Sequence, residues 1–421
     1  QQQEVIVVAK NPNVFYGDAP TITSADLCFD FVNRMFFENR AQYRRSKKLT
    51  YLGVANNFSI KKLGGLDADI VASLALEVID CFCDSLDVEI AAHHVTPRIL
   101  GFQLSPFQLQ ELLMYASSIW NQITARDEKT LPLHDNVVVK LASIAGFTIS
   151  ADNVILDENQ DQLLSFGKIL KDSSQRVSVI SLGDKLQRLT SDIVVPECTL
   201  YPGKQLMVPQ SIRCGDAIDP ILRSFLQDVE FAGNDSFKSE VIQYKYAFGS
   251  PVYIPKSQAL LVTDSYFWIL VLAIKLDSMN LGFSMSQETL RHALELAGES
   301  IDMKKEGNVD RRRHPDLVGY ASWEQFLEKR DKGLALGARE FDRWVSQGKN
   351  TENLRKILNR GLHQYKTMRS GYTLAMVDET KGHEWNRVCI LPDLANIHSN
   401  ETLSESMRHR RAYTALTRAI K

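Results

Sequence analysis

Short apolar runs, each closed by polar or turn-forming residues, recur along the chain and read as strands. "EVIVVAK" (4–10) runs into "NPN", "NVIL" (153–156) into "DENQDQ", and "QRVSVIS" (175–181) into "LGDKLQ". "QALLVTD" (258–264) is another such run, and "TLAMVDETKGHEWNRVCIL" (373–391) holds two strand-like segments around a polar loop. "APTITSADLCFDFVNRMFF" passes from a short polar strand into a helix, with Ser24 or Asp26 as the expected N-cap. Apolar residues at helical spacing fill "DADIVASLALEVIDCFCDSL" (67–86) and "SPFQLQELLMYASSIWNQI" (105–123), the latter opened by Ser105-Pro106. Residues 40–125 therefore read as all-helical, and "NVVVKLASIAG" carries that helicity up to the strand at 153. A second helical block, 285–365, is highly charged and includes "SWEQFLEKRDKGLALGAREFDRWV" and "TENLRKILNRGLHQYK". Strands alternating with helices predict parallel α/β layers, with the two helical blocks as insertions.

Composition changes this picture little. The chain has 421 residues, 44% hydrophobic and 24% charged, which is ordinary globular usage and enough for two to four domains. A net charge of −2 gives no global basic field, although a local groove can still bind phosphate. The six cysteines (Cys28, Cys81, Cys83, Cys198, Cys214, Cys389) form no CxxC pair and no tight cluster with histidine. That spacing indicates neither a zinc site nor a disulfide framework, and it points to a reducing, intracellular compartment. "YFWILVLAIKL" from Tyr266 is too short for a membrane span and is interrupted by Lys275, so it reads as a buried helix. No signal peptide is visible. The chain opens at Gln1 without Met and stops at Lys421 within "TALTRAIK", and the expectation is that both ends are cut.

The candidate chemistry lies where the strand 153–156 surfaces. Asp157, Glu158 and Asp161 arrive there together. Ligands of parallel sheets bind in the crevice where the strands end. A hydrophobic strand followed by Asp-Glu is what a nucleotide hydrolase places there. The Asp holds Mg²⁺, usually through water, and the Glu takes a proton from the attacking water. Taken alone, the pair reads first as an exposed turn with chance acids, because Asp-Glu dipeptides are common.

Further along, "GDKLQ" (183–187), "SIRCGDAI" (211–218), "TKGHEW" (380–385) and "AYTALTRA" (412–419) follow in order. With the acids, this ordered set resembles the UvrD/Rep-like superfamily of DNA helicases. Its "DEAQD" motif is matched by Asp157-Glu158-Asn159-Gln160-Asp161, and its "GDPxQ" motif by Gly183-Asp184-Lys185-Leu186-Gln187. The motif IV arginine is matched by Arg213, "KGLEW" by Lys381-Gly382-His383-Glu384-Trp385, and "YVALTRA" by Tyr413 to Ala419. Within that superfamily the chain is most similar to the F-box DNA helicases, over nearly its whole length.

The resemblance implies two RecA-like parallel-sheet cores of P-loop NTPase type, each carrying a helical insertion. The first core would comprise 1–40 and 125–205 with 41–124 inserted, and the second 206–284 and 366–421 with 285–365 inserted. It implies ATP and Mg²⁺ as cofactors. Asp157 and Glu158 would be the metal side of the site, with Glu158 the base. Gln187 would sense the γ-phosphate, and Arg213 and Arg418 would reach it from the second core. Asp184, Gly382 and Glu384 would contact the nucleotide, Glu384 at the ribose. Trp385 reads as a core aromatic. The partner implied is single-stranded or forked DNA, travelled 3′ to 5′, although the residues alone do not separate DNA from RNA. No membrane partner is implied.

The sequence also departs from the family. No GxxGxGK[ST] phosphate loop is present; "FGKIL", "PGKQL" and "QGKNT" lack the spaced glycines and hydroxyl. Such a loop is expected upstream of the first strand. Thr23 replaces the motif Ib His, and Met376 and Asp378 replace the motif V Thr and His. "RLTSDIV" stands where the family carries a base-stacking aromatic, and "VTDS" stands for "RTN". Nucleotide-side residues are thus better kept than strand-side ones. Three readings result: an ATP-hydrolysing DNA helicase or translocase; a catalytically inactive helicase-like scaffold or nucleic-acid-binding subunit that serves protein partners in a larger complex; and, last, an unrelated α/β protein with chance motifs. The run "RRR" (311–313) reads as a solvated loop before a phosphate contact.

Overall fold

The computed structural model describes residues 4–9, 19–36, 54–100 except 56, 102–125, 134–189, 252–306, 332–368, 371–395 and 405–419, and parts of 203–226 and 314–329. Two compact units divide the chain, Gln1–Lys204 and Gln205–Lys421. Each contains a four-stranded sheet in which every pairing is parallel.

In the first unit, β1 (Val5–Val8), β2 (Thr21–Ile22), β3 (Asn153–Leu156) and β4 (Ser178–Ser181) lie in the order β2-β1-β3-β4. Val8 is in register with Leu156, and Leu156 with Ser181, so three strands finish at one level. Val7, Val8, Val154 and Leu156 are fully buried. The helix Ser24–Phe36 packs against Asp135–Ile144, which packs in turn against Leu164–Ser173. Neither Ser24 nor Asp26 caps the first of these. Thr23 does, its Oγ1 accepting from the Asp26 N–H at 3.0 Å, while Asp26 Oδ2 accepts from the Thr23 N–H at 3.2 Å. Asp26 is therefore the third-position partner of a reciprocal cap rather than the cap itself. Between β2 and β3 stand the helices Ala68–Cys83 and Pro106–Thr124, packed on each other through residues such as Val71, Ala75, Leu112 and Ala116. Ser105 opens the second with a reciprocal cap to Gln108, as its Ser-Pro start predicts.

In the second unit, β5 (Leu260–Thr263), β6 (Phe283–Ser284), β7 (Tyr372–Met376) and β8 (Val388–Ile390) take the order β6-β7-β5-β8. The helix Tyr266–Ser278 is apolar all round, and Phe267, Trp268, Ile269, Leu270 and Leu272 have no exposed surface. Each such side chain contributes roughly 1.5–3 kcal/mol on burial. Most of this helix is covered because Gln287–Glu306, Trp323–Lys329, Lys332–Ser346 and Thr351–Met368 share one apolar core with it and with β5 and β7. The charged block 285–365 thus follows an insertion in chain order yet packs into the sheet's own core. Among the described residues no helix is long and apolar enough to cross a membrane, and Cys28, Cys81, Cys83, Cys214 and Cys389 are free thiols.

Candidate functional site

Sheet topology marks one place in the first unit. The chain leaves β1 for β2 on one side and returns as β3 on the other, so the strand order reverses between β1 and β3. Crevices at such reversals, outside the carboxyl ends of the strands, are where open parallel sheets bind ligands. Asp157 stands there, its N–H donating to the Val8 carbonyl of β1 at 3.0 Å.

The next residue, Glu158, is forced into left-handed backbone (φ 50°, ψ 46°), which costs a non-glycine residue on the order of 1 kcal/mol or more. The gain is a sharp exit from the strand into the 3₁₀ turn Asn159–Asp161. Gln160 is buried beneath that turn and joins both halves of the site. Its Nε2 donates to Glu158 Oε2, and its Oε1 accepts the Asp184 N–H at 2.9 Å. Asp184 in turn caps its own 3₁₀ turn, accepting the Leu186 N–H at 3.0 Å and the Gln187 Nε2 at 2.9 Å. Glu158, Asp184 and Gln187, on two adjacent strand ends, are therefore one hydrogen-bonded chain with Gln160 at its centre. Asp157, Glu158 and Asp161 are all half-buried at this strand end.

Beneath the site lies a pair that motif spacing does not reveal. Arg188 donates through Nη1 to the Gln160 carbonyl at 3.3 Å and through Nη2 to Asp84 Oδ2 at 2.8 Å. The other oxygen of Asp84 accepts the Leu164 N–H at 2.9 Å. Burial pushes the Asp84 carboxyl up, with Arg188 opposing. Asp84 follows directly on the helix Ala68–Cys83, so that helix ends on the floor of the site. Asp84 and Arg188 are 104 residues apart, and neither sits in a recognisable motif.

In the second unit, Gly382 takes a left-handed turn (φ 74°) after the 3₁₀ segment Val377–Thr380, leaving Glu384 exposed beside it. Trp385 is half-buried rather than a core aromatic, because its role is in its backbone: its N–H donates to the Arg418 carbonyl at 3.0 Å, forming a parallel bridge to Ala419. Arg418 is buried, donating Nε to the Thr414 carbonyl at 3.1 Å and Nη2 to the Thr417 hydroxyl at 3.3 Å. Cys214 reaches the same place, its thiol 3.8 Å from the carbonyls of both Thr417 and Ala419. The segments carrying Gly382, Glu384 and Arg418 thus adjoin within this unit. Arg213 and the run 311–313 lie outside the described residues.

The second sheet also reverses, between β5 and β8, and its edge holds a charge cluster. Arg411 clamps Asp264 with Nε at 2.7 Å and with Nη2, and Nη2 also reaches Asp378 Oδ2 at 2.8 Å. Asp393 Oδ2 accepts the Thr263 hydroxyl and the Asp264 N–H, each at 2.7 Å. Burial, chiefly, raises the Asp393 carboxyl to about 7.

Oxygen donors are what a hard cation such as Mg²⁺ prefers, but among the described residues Asp157, Glu158 and Asp161 do not draw their oxygens into one three-ligand cluster. A phosphate cradle is a separate requirement, and the sequence contains no Gly-rich Lys-Ser/Thr loop to meet it. No protein-family model matches this chain, and no curated protein matches it.

Proposed function

We propose that this chain carries the motor of an ATP-hydrolysing DNA helicase or translocase of the UvrD/Rep-like type, built on two RecA-like cores and moving 3′ to 5′ on single-stranded or forked DNA. The observation that carries this reading is the first sheet edge: Asp157 at the strand-order reversal, and Glu158 tied through Gln160 to Asp184 and Gln187. In this reading Asp157 holds Mg²⁺ and Glu158 accepts a proton from the attacking water. Bound Mg²⁺ would supply charge neutralisation on the phosphate oxygens. Gln187, hydrogen-bonded to Asp184, reports the state of the phosphates to the strand ends. Arg213 and Arg418 supply guanidinium donors to developing charge, for which planar bidentate geometry suits Arg better than Lys. Glu384, beside Gly382, accepts from the ribose.

The test is Mg²⁺-dependent ATP hydrolysis by the intact gene product, with and without single-stranded DNA. Replacing Glu158 by Gln keeps the side chain's size and is expected to cut turnover by ~10²–10⁴-fold. Equal turnover in parent and variant rejects the enzyme reading. Two observations favour a second reading, a non-catalytic scaffold: strand-side motif positions are replaced, as at Thr23 and Asp378, and the Arg418 guanidinium is bonded to its own helix end. A parent protein that binds single-stranded DNA or a protein partner, yet hydrolyses no ATP, supports that reading instead.

A further inference from the structure

We propose that Asp87, His93 and His94, in the loop that follows the helix Ala68–Cys83, form a binding site for a zinc ion, separate from the acidic sheet edge. Cysteine spacing gives no zinc motif here, and none is needed. The three side chains each turn a ligand atom inward, with all three atoms within 4.8 Å of one another. His93 Nε2 lies 2.6 Å and His94 Nε2 3.0 Å from the same oxygen, Asp87 Oδ2. Tetrahedral zinc at roughly 2.0–2.2 Å from each nitrogen and oxygen separates its ligands by about 3.4 Å. Opening both contacts by less than about 1 Å therefore makes room for the ion. His93 and Asp87 can yield that distance, because their side chains are 64% and 43% exposed.

His94 is the fixed member. Its side chain is 2% exposed and packs edge-on against Phe82, with ring centroids 5.4 Å apart. Its Nδ1 lies 3.1 Å from the Ala91 carbonyl, so a proton on Nδ1 can be donated there, leaving the Nε2 lone pair facing Asp87. A backbone carbonyl holding the far nitrogen is the usual outer support of a zinc-bound imidazole. In the metal-free form the Ala91 N–H, 2.9 Å away, can donate to Nδ1 instead, and Nε2 then keeps its proton. The loop is held from behind as well. The Asp87 N–H donates to Ser85 Oγ at 3.2 Å, and Lys140 donates to the Ser85 carbonyl at 2.8 Å. The Lys140 ammonium opposes a cation: it lies over the Phe82 ring and against Ser85, whose hydroxyl, 3.3 Å from Nζ, separates it from His94 Nε2 at 3.2 Å.

Two imidazoles and one carboxylate select a borderline metal over Mg²⁺ or Ca²⁺, which prefer oxygen alone. The fourth position opens to solvent and is filled by water. Bound zinc would staple the loop that begins at Asp84, the carboxylate that anchors Arg188 under the sheet edge.

The experiment is calorimetric titration of tag-free, chelator-treated full chain with ZnCl₂ in excess Mg²⁺, so that the acidic edge is already supplied. One equivalent of Zn²⁺ is expected, and Co²⁺ in its place should give the visible absorption of a four-coordinate N,O site. His93→Ala, at an exposed position that spares the fold, should weaken Zn²⁺ at least ~10-fold, and Asp87→Asn likewise. Zinc should also raise the melting temperature of the parent by several degrees and leave that of His93→Ala unmoved. No stoichiometric uptake, or uptake with the parent's affinity in both variants, overturns the site.

Discussion

Gly183 lies two residues beyond β4 and one before Asp184, and a side chain at this point has nowhere to go. A β-carbon there would lie 2.7 Å from Gln160 Oε1 and 3.2 Å from the Asn159 backbone nitrogen. The amide oxygen in conflict is the one that receives the Asp184 N–H, so relief of the clash breaks the link between the two acidic turns. Gly183→Ala is therefore expected to cost about 1–3 kcal/mol in a urea unfolding titration of the first unit, and to lower ATP turnover further than that loss of folded protein explains. Unchanged stability would mean that Gln160 is free to move and is no hub. The same residues show how far sequence reaches at this scale. Asp157, Glu158, Asp184 and Gln187 stand out because apolar strands deliver them to polar turns. Gln160 falls inside the matched motif, but its function as the bridge depends on Gly183 passing within van der Waals reach, which no spacing rule encodes. Asp84 and Arg188 are further from legibility, since only the folded chain brings residues 104 apart into one ion pair.

The helix Thr351–Met368 crosses β6 so closely that glycine is required at the crossing. A β-carbon on Gly361 would lie 2.1 Å from Cε1 of Phe283, a ring with no exposed surface, and one on Gly282 would lie 2.6 Å from the Tyr365 nitrogen. Gly361→Ala sets two effects against each other. Helix propensity favours Ala by about 1 kcal/mol, while displacing a buried ring costs about 1–3 kcal/mol. The clash is with a packed ring rather than a flexible chain end, so the variant should be less stable by thermal unfolding. Gly298 is the control: it lies within the helix Gln287–Glu306, and its β-carbon would meet nothing within 4 Å. Gly298→Ala should stabilise by roughly 0.5–1 kcal/mol. Opposite signs for two mid-helix glycines would establish the crossing; equal signs would refute it. Helical periodicity announces these helices plainly, whereas the buried helix Tyr266–Ser278 is read from its long apolar run. The strand β6, only Phe283–Ser284, is too short to show any alternation and goes unread.

At the scale of the whole molecule, both sheets reverse strand order beside an acidic edge. The alternation of strands and helices makes the parallel layers readable, but the points of reversal depend on which strands pair. The first edge ties its acids together through Gln160, whereas the second sets Arg411 between Asp264 and Asp378. Next to that cluster, burial raises the Asp393 carboxyl from 3.8 to about 7, the neighbouring Asp264 charge adding to the rise and the Thr263 hydroxyl and Asp264 N–H opposing it. Between those two values the folded chain keeps a proton that the unfolded chain releases. Unfolding stability must then fall as pH rises from about 4 to about 7, by up to ~1.4 kcal/mol per pH unit for this proton, and level off above. The penalty is absent at low pH and complete at high pH, the reverse of a salt-bridged carboxylate. Asp393→Asn mimics the neutral acid: its amide oxygen can still accept from Thr263 and Asp264, and it has no proton to lose. The variant's stability advantage over the parent should therefore be smallest at pH 4–5 and grow to a plateau near pH 8. Four of the five tryptophans (Trp268, Trp323, Trp344 and Trp385, but not Trp120) lie in the second unit, so fluorescence-detected urea unfolding at a series of pH values follows that unit. A constant difference between variant and parent across this range would show that Asp393 is ionised in the folded protein and that Arg411 neutralises more than its two direct partners.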